Sequence, residues 1–506
     1  MAASASRHSA SKSPHGTARP SATPLTRTDI SGALAVAPRD MARAYVVGGT
    51  SYGGVFDMTS SIRSWYRNER KDKGPVCLAT PDKPLLMAAI LASLGGGPPI
   101  VLPASLSRDM IAETCRVTGA ACVLSDRPVE TPEGVRSFVP DAGTAVTQTG
   151  LHAGVHERSG TQAWLLTRPI MEPFLWLYTG GSTGTPKLWP KTPRNVIGEA
   201  VYLRDMFAIR RSDVFLSSVP PLHIYGLLFS VLLPFVSGAR IAGDVPYFPR
   251  EIVTAAAGAG CTVFVGSPMH YKALSASPFR LPGLRRAFSS GGFLEKQHAE
   301  HFTRATGTGV TEVYGSTETG GIATRCQTAS RTAIPAAWTP FPCARWTIRD
   351  GRLRVKSPFV SPGLPTGGRG FFTTGDLAAR AGDGAFVLRG RADGIVKIGG
   401  KRVDLSLIEQ KIKSLPRVTD AWVLSLPSSP GRGSEIAALV ATAAARSYLR
   451  KAFAGALEPL HVPRRIECVP AIPVTPAGKR DRRAALAILA GRGGAILKNE
   501  TEKNTL

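Results

Sequence analysis

Leu177 to Lys191 reads LYTGGSTGTPKLWPK, and within it Thr179 to Pro186 are all Gly, Ser, Thr or Pro. No packed helix or strand favours that composition. Glycines let backbone N–H groups turn inward, and hydroxyls add further donors, so such a loop can wrap phosphate oxygens. Lys187 then supplies a point charge for a polyphosphate. The plain alternative is an ordinary flexible loop. A Walker A loop is excluded, because it needs Gly before the lysine and Ser or Thr after it. Here Pro186 precedes Lys187 and Leu188 follows; Gly478-Lys479 is followed by Arg480.

The 506 residues suffice for a large core and more than one domain, and the hydrophobic fraction of 43% is that of an ordinary globular protein. No apolar run approaches the roughly 18 residues of a membrane span. The longest, around Leu227 to Val236, is short, contains Pro234 and reads as buried core. The seven cysteines, scattered and without a CxxC pair, argue against zinc and a disulfide framework, and fit a reducing cytoplasm. The net charge of +26 is dispersed and carries no nucleic-acid-binding motif. It suits anionic ligands such as ATP, or an acidic protein, better than nucleic acid.

Residues 1–40, rich in Ser, Ala, Pro and Arg, are expected to be a disordered extension. From about Ala42, apolar runs alternate with helix-like segments. Leu85–Leu94 reads as a helix ending at Gly95-Gly96-Gly97. Ile100–Pro103 reads as a strand, Met110–Val117 as a helix and Ala121–Leu124 as a strand. This alternation argues for α/β layers. Phe174–Tyr178 reads as the strand that delivers the glycine-rich loop, and Thr262–Val265 and Arg285–Phe288 as further core strands. A polar turn at Gly390–Asp393 opens a second domain, 394–490, with 16 Lys/Arg against 7 Asp/Glu. Residues 491–506 read as a flexible tail.

Other stretches carry chemistry. In Thr311–Glu318 a strand brings Tyr314 to a turn at Gly315-Ser316. Tyr314 can stack on a base, Thr317 can donate to a phosphate oxygen, and Glu318 is a hard oxygen ligand suited to Mg²⁺; the plain reading of Glu318 is a helix N-terminal carboxylate. In Thr373-Thr374-Gly375-Asp376 the carboxylate can accept two ribose hydroxyls, or close an Asx-turn. Ser289–Phe293, with Gly291 and Gly292, lets a flat group approach backbone, or is a simple strand-to-helix turn. His223, in Pro220–Gly226, is by itself a hydrogen-bonded structural residue.

The order Tyr178–Lys187, Tyr314-Gly315-Ser316-Thr317-Glu318, Thr374-Gly375-Asp376, Gly390-Arg391, Lys397–Glu409 and Pro473–Arg482 resembles the acyl-adenylate-forming (ANL) superfamily over roughly residues 42–490. That superfamily includes AMP-binding acyl- and aryl-CoA synthetases. The resemblance implies an α/β fold: a large multi-layer N-terminal domain of β-sheets and helices (41–393, binding AMP and the acyl group), and a small mobile α+β lid domain (394–490) hinged at Asp393. It implies an ATP-dependent acid–thiol ligase that forms acyl-AMP and pyrophosphate, then transfers the acyl group to a thiol. Thr179, Gly180, Gly181, Ser182, Thr183, Gly184 and Lys187 would hold the phosphates. Gly291, Gly292, Tyr314, Gly315 and Ser316 would border the adenine, and Asp376 and Arg391 the ribose. Thr317, Glu318 (the Mg²⁺ ligand) and Lys479 would act at the reacting groups. His223, Tyr225 and bulky Phe293, a departure from the family pattern, would line the acid pocket. The expected small molecules are ATP, Mg²⁺ and a carboxylic acid, with an aryl acid such as a hydroxybenzoate favoured and a fatty acid the other choice. The thiol is coenzyme A or the phosphopantetheine of an acidic acyl carrier protein. The different reading is a non-catalytic basic binding protein that retains the fold.

Overall fold

The computed structural model describes residues 25–35, 41–68, 74–140, 165–179, 187–327, 337–391, 394–398, 401–427, 434–473 and 482–491. The first sheet runs 136–138, 122–124, 76–78, 100–102, 175–179, 187–191, parallel until the last strand, which returns antiparallel. Val76–Leu78, Ile100–Leu102 and Cys122–Leu124 are buried throughout, as strands covered on both faces must be. The helix Lys83–Leu94 sits against them. It is apolar all round, and every one of its residues is buried. Asp82 caps it by accepting the Leu85 N–H at 2.7 Å, and its one charged residue, Lys83, donates to the carbonyls of Ala242 and Asp244 at 2.8 and 3.1 Å.

The second sheet runs 339–340, 320–326, 310–316, 286–289, 263–266, 214–217, 240–241. It is parallel from 240–241 to 310–316 and antiparallel beyond. One contiguous core joins both sheets to the helices Tyr52–Asn68, Lys83–Leu94 and Pro193–Met206. The run expected to be buried core, around Leu227 to Val236, lies in a helix over 224–236 whose middle turn, Leu228–Leu232, is widened: Leu233 N–H donates to the Leu228 carbonyl. Pro234, which has no N–H and would crowd the carbonyl four residues back, accounts for the widening. A third sheet of strands 345–349, 352–356, 366–367, 371–380 and 386–391 is antiparallel throughout.

The second unit begins after Arg391. It has a two-stranded ribbon (395–398, 401–404), a three-stranded sheet (420–427, 434–441, 465–469) and helices 405–413, 446–456 and 482–489. Its cores include Val403, Ile408, Val423 and Phe453 on one side, and Leu424, Leu439 and Leu489 on the other. The α/β architecture read from the sequence, with a smaller α+β unit after it, is the one observed.

One expectation is corrected. Residues 25–35, inside the stretch expected to be disordered, form the helix Arg27–Ala35. Thr26 N–H donates to Asp29 at 2.7 Å and caps it. Ile30, Ala33 and Leu34, spaced three and four apart, are buried against the core and pack on the helix Pro193–Met206. The apolar face is too short to stand out among the alanines and serines around it. Residues 1–24, 36–40 and 492–506 lie outside the described residues. Leu34→Ala is expected to lower stability by about 3 kcal/mol, the cost of a cavity at a fully buried leucine, as read from urea unfolding; a change near zero would mean that this helix does not dock.

Candidate active site

Several of the described candidate residues sit at or just beyond the carboxyl end of a strand, the edge at which open α/β sheets bind ligands: Thr179 ends one strand, and Gly291 to Phe293 and Thr317-Glu318 follow two others. In the first sheet, Thr179 ends one strand and pairs across from Lys187, which begins the next. The glycine-rich loop is therefore closed at its base. Gly180, Gly181, Ser182, Thr183 and Gly184 lie outside the described residues, as do Asp393 and Lys479. Lys187 is exposed.

In the second sheet, strand Val310–Ser316 carries Tyr314 to a tight hairpin. At Gly315 a Cβ would lie 2.3 Å from the Gly320 carbonyl oxygen, so only glycine allows the two arms to approach. Ser316 and Thr319 lock the turn: their hydroxyls are 3.0 Å apart, and Ser316 N–H donates to the Thr319 hydroxyl at 3.2 Å. Thr317 and Glu318 stand at its tip. Ser361 braces them from the neighbouring loop, its N–H donating to the Glu318 carbonyl at 2.8 Å. Glu318 Oε2 is buried and has no hydrogen-bond partner among the described residues. An orphaned carboxylate oxygen is costly unless something fills it, and a divalent cation fits that description. No cluster of three or more His, Cys, Asp or Glu exists among the described residues. A cation there would take its remaining ligands from phosphate and water, as Mg²⁺ does in nucleotide sites.

The Tyr314 hydroxyl donates to Asp376 Oδ2 at 2.6 Å, and Asp376 lies directly across from Arg391 on adjacent antiparallel strands. The structure thus joins three residues that are far apart in the sequence. The Tyr314 ring packs against Trp338 and Phe386, with centroids at 5.3 and 5.9 Å, which fixes its position.

The loop 289–293 is pinned from below. Ser290 donates to the Val313 carbonyl at 2.7 Å, and Gly291 adopts φ +84°. Glu312 accepts the Leu294 N–H at 3.3 Å while paired with Arg325 at 2.6 and 3.0 Å, both nearly fully buried. Phe293 is 60% exposed, with the Arg325 guanidinium 5.2 Å from its ring centroid.

His223 is accessible to solvent yet crowded, and this desolvation pushes its proton affinity below the ordinary imidazole value. It precedes the helix that starts at Ile224. A Cβ at Gly226 would strike the Pro220 carbonyl oxygen at 1.9 Å, which explains the glycine of this stretch. The Tyr225 hydroxyl donates to the Gly266 carbonyl at 3.0 Å, and its ring centroid is 5.0 Å from that of Phe229.

Two groups escape the sequence reading. One is the Glu312–Arg325 pair. The other is the two buried charged residues Lys191 and Glu199. Burial pushes the Lys191 ammonium toward neutrality, while Glu199 and Glu318 hold it charged. Burial likewise raises the Glu199 carboxyl, opposed by the Gly321 N–H and by Lys191. A glutamate inside the apolar run Val196 to Leu203 is the signal that marks it.

Residues 35–364 match a family model described as AMP-binding enzyme. The chain belongs to the AMP-binding enzyme family. This bears out the resemblance carried by the motifs. Among curated proteins it is similar to a sulfoacetate–CoA ligase of Cupriavidus necator, 27% identical over 339 residues covering 61% of this chain and 66% of that one. It is also similar to the p-hydroxybenzoic acid–AMP ligase FadD22 of Mycobacterium tuberculosis, 28% identical over 470 residues, 87% of this chain and 65% of that one. The chain spans just under two thirds of the length of these relatives. Its fold is shared with an o-succinylbenzoate CoA synthetase of Bacillus subtilis, TM-score 0.69 at 17% identity, covering 90% of this chain and 98% of that one.

Arg325→Met, which leaves Glu312 charged and buried, is expected to cost roughly 3–5 kcal/mol by chemical denaturation. Adding Glu312→Gln should recover much of that loss. If the double variant is no better than the single, the pairing is not what secures this loop.

Proposed function

We propose that this chain is an ATP-dependent ligase that joins a carboxylic acid to a thiol through an acyl-adenylate. The observation that carries this reading is the union of Tyr314, Asp376 and Arg391 beside a hairpin tip bearing Thr317 and Glu318. Asp376 would accept the ribose hydroxyls while Tyr314 fixes its orientation. The loop after Thr179, with Lys187, would hold the β- and γ-phosphates. Mg²⁺, held by Glu318, would neutralise phosphate charge. A carboxylate is already ionised at neutral pH and needs no general base. A carboxylate oxygen attacks the α-phosphorus, the bond to the β-phosphate oxygen breaks, and pyrophosphate leaves. Thiol attack on the acyl carbon then releases AMP, and the thiol proton goes to solvent. Positioning and charge stabilisation carry both steps. Lys479 would bridge the carboxylate and the α-phosphate in the first, and a turn of the small domain at Asp393 would withdraw it for the second.

For the acid we infer an aryl carboxylate such as a hydroxybenzoate. Support comes from Tyr225, tied to Gly266 and backed by Phe229, and from the p-hydroxybenzoic acid of one relative's name. For the thiol, both coenzyme A and a carrier protein's pantetheine are anionic acceptors. The third sheet offers a face for them. Arg345 lies across from Lys356 and Arg349 across from Arg352, while Leu353 and Val355 turn inward to Trp338 and Phe386. Like charges placed opposite one another are destabilising unless an anion covers them.

ATP–pyrophosphate exchange across aryl and fatty acids tests the reading. Exchange should occur with aryl acids, and Lys479→Ala should slow it by about 10²–10³-fold, the loss typical of one transition-state donor. Asp376→Ala should raise the KM for ATP with a smaller effect on the acid. Folded protein that binds ATP but exchanges with no acid would instead support the non-catalytic reading. In the thiol step, a carrier acceptor should show a steeper loss of rate with salt than coenzyme A does.

A further inference from the structure

The helix Pro193–Met206 follows the strand Lys187–Lys191 after a single residue, Thr192, so it is fastened to the strand that leaves the phosphate loop. Thr192 and Asn195 cap it reciprocally. The Thr192 hydroxyl accepts the Asn195 N–H at 3.2 Å, and Asn195 Oδ1 accepts the Thr192 N–H at 3.1 Å. The cap leaves the Asn195 amide hydrogens for other partners, and both go to one distant turn. Nδ2 donates to the carbonyls of Pro358 and Val360 at 2.9 and 3.1 Å. These contacts also fix the orientation of the amide. Turned over, it would set NH₂ against the Thr192 N–H and oxygen against two carbonyls. Asn195 is 4% exposed, so water does not stand in for these partners.

The turn that Asn195 grips leads to the hairpin tip. Ser361, 3% exposed, follows Val360 and donates its N–H to the Glu318 carbonyl at 2.8 Å. Phe359, between the two gripped carbonyls, places its Cβ 2.6 Å from where a side chain on Gly320 would begin. The next turn of the helix continues the contact. Glu199 accepts the Gly321 N–H at 2.7 Å, and the Tyr202 ring packs on those of Phe341 and Phe359, each with centroids 5.5 Å apart. Asn195, Glu199 and Tyr202, spaced four and three apart, form one helix face. That face is given over to the hairpin and to the turn that braces it. The chemistry described above uses none of the three.

We propose that Asn195 is a positioning residue for the hairpin tip: through the turn 358–361 it sets where Thr317 and Glu318 stand relative to the strand that leaves the phosphate loop. This rests on the reading of the chain as an adenylate-forming ligase, in which those two elements share one nucleotide. The rival account is that Asn195 only caps its helix.

Two variants separate the roles. Asn195→Asp keeps an oxygen for the Thr192 N–H, at a helix start where negative charge is favourable. Even protonated it can serve only one of the two carbonyls. Thr192→Val does the reverse: it removes the hydroxyl of the cap and leaves the Asn195 amide in place. Three quantities are read well below the lowest melting temperature: the affinities for MgATP and for metal-free ATP, by calorimetry, and kcat and KM in pyrophosphate exchange. Asn195→Asp is expected to lower MgATP affinity and kcat by about tenfold, the loss typical when a group behind a metal ligand is removed. Metal-free ATP affinity and the KM for the acid should stay near those of the wild type. Thr192→Val should melt earlier with all of these constants unchanged. If Asn195→Asp leaves MgATP affinity and kcat intact, or if Thr192→Val lowers them equally, Asn195 only caps and the proposal falls. Should Asn195→Asp not fold, Asn195→Ala, which buries no charge, carries the same test: a several-fold weaker MgATP affinity is expected, and an unchanged one overturns the proposal. A wild type that does not prefer MgATP to metal-free ATP overturns it as well. A wild type that prefers MgATP but exchanges with no acid would defeat the ligase reading, while the two nucleotide affinities still judge Asn195.

Discussion

The hairpin between Val310 and Cys326 exists only because side chains are missing from its tip. Gly315 meets the Gly320 carbonyl, and Gly320 and Gly321 meet Glu199, the Phe359 Cβ and the Phe341 ring. Gly320 also adopts φ +64°, open to glycine at little cost. With the arms this close, the Ser316–Thr319 hydrogen bonds can form and hold Thr317 and Glu318 at the tip. The strand that leads there is where the second sheet turns from parallel to antiparallel pairing. The parallel side supplies strand ends that point loops toward the ligand. The antiparallel side supplies Arg325, whose guanidinium lies 4.3 Å from the Trp338 ring centroid and is ion-paired with Glu312. A single constraint, close backbone approach at three glycines, therefore positions Tyr314, Thr317 and Glu318 together.

The proposed site draws on three sheets, which suits a reaction with a large leaving group and little covalent work for the protein. Lys187 comes from the first, Tyr314 and Glu318 from the second, and Asp376 and Arg391 from the third. The Tyr314–Asp376 hydrogen bond spans the last two sheets, so in the proposed function the carboxylate that would take the ribose is oriented by the residue that would border the base. Such preorganisation leaves less to be ordered when the nucleotide binds. Catalysis by position and charge depends on that rigidity more than on any single ionisable group.

Much of this was legible in the sequence for physical reasons. Short apolar runs bounded by glycine and proline gave the parallel strands. The hydroxyl- and glycine-rich turns after them stood out because no packed element tolerates them. The helix Arg27–Ala35 did not stand out, since its buried face amounts to Ile30, Ala33 and Leu34 amid alanine and serine. Lys191 was visible as the end of the opening stretch, yet nothing local distinguishes a buried lysine from a solvated one. The contact of Glu199 with Gly321 on the hairpin is likewise one that only the fold arranges. Gly315 was readable as a turn, but the carbonyl that forbids a side chain there was not.

The central claim is that a carboxylate oxygen attacks the α-phosphorus of ATP, and isotope transfer tests it most directly. The enzyme would be given ATP, a thiol acceptor and an aryl acid labelled with ¹⁸O in its carboxylate, and the products read by mass spectrometry. The account predicts a single labelled oxygen in the phosphate of AMP and none in pyrophosphate. Label appearing in inorganic phosphate alongside ADP, or turnover that leaves AMP unlabelled, would contradict it.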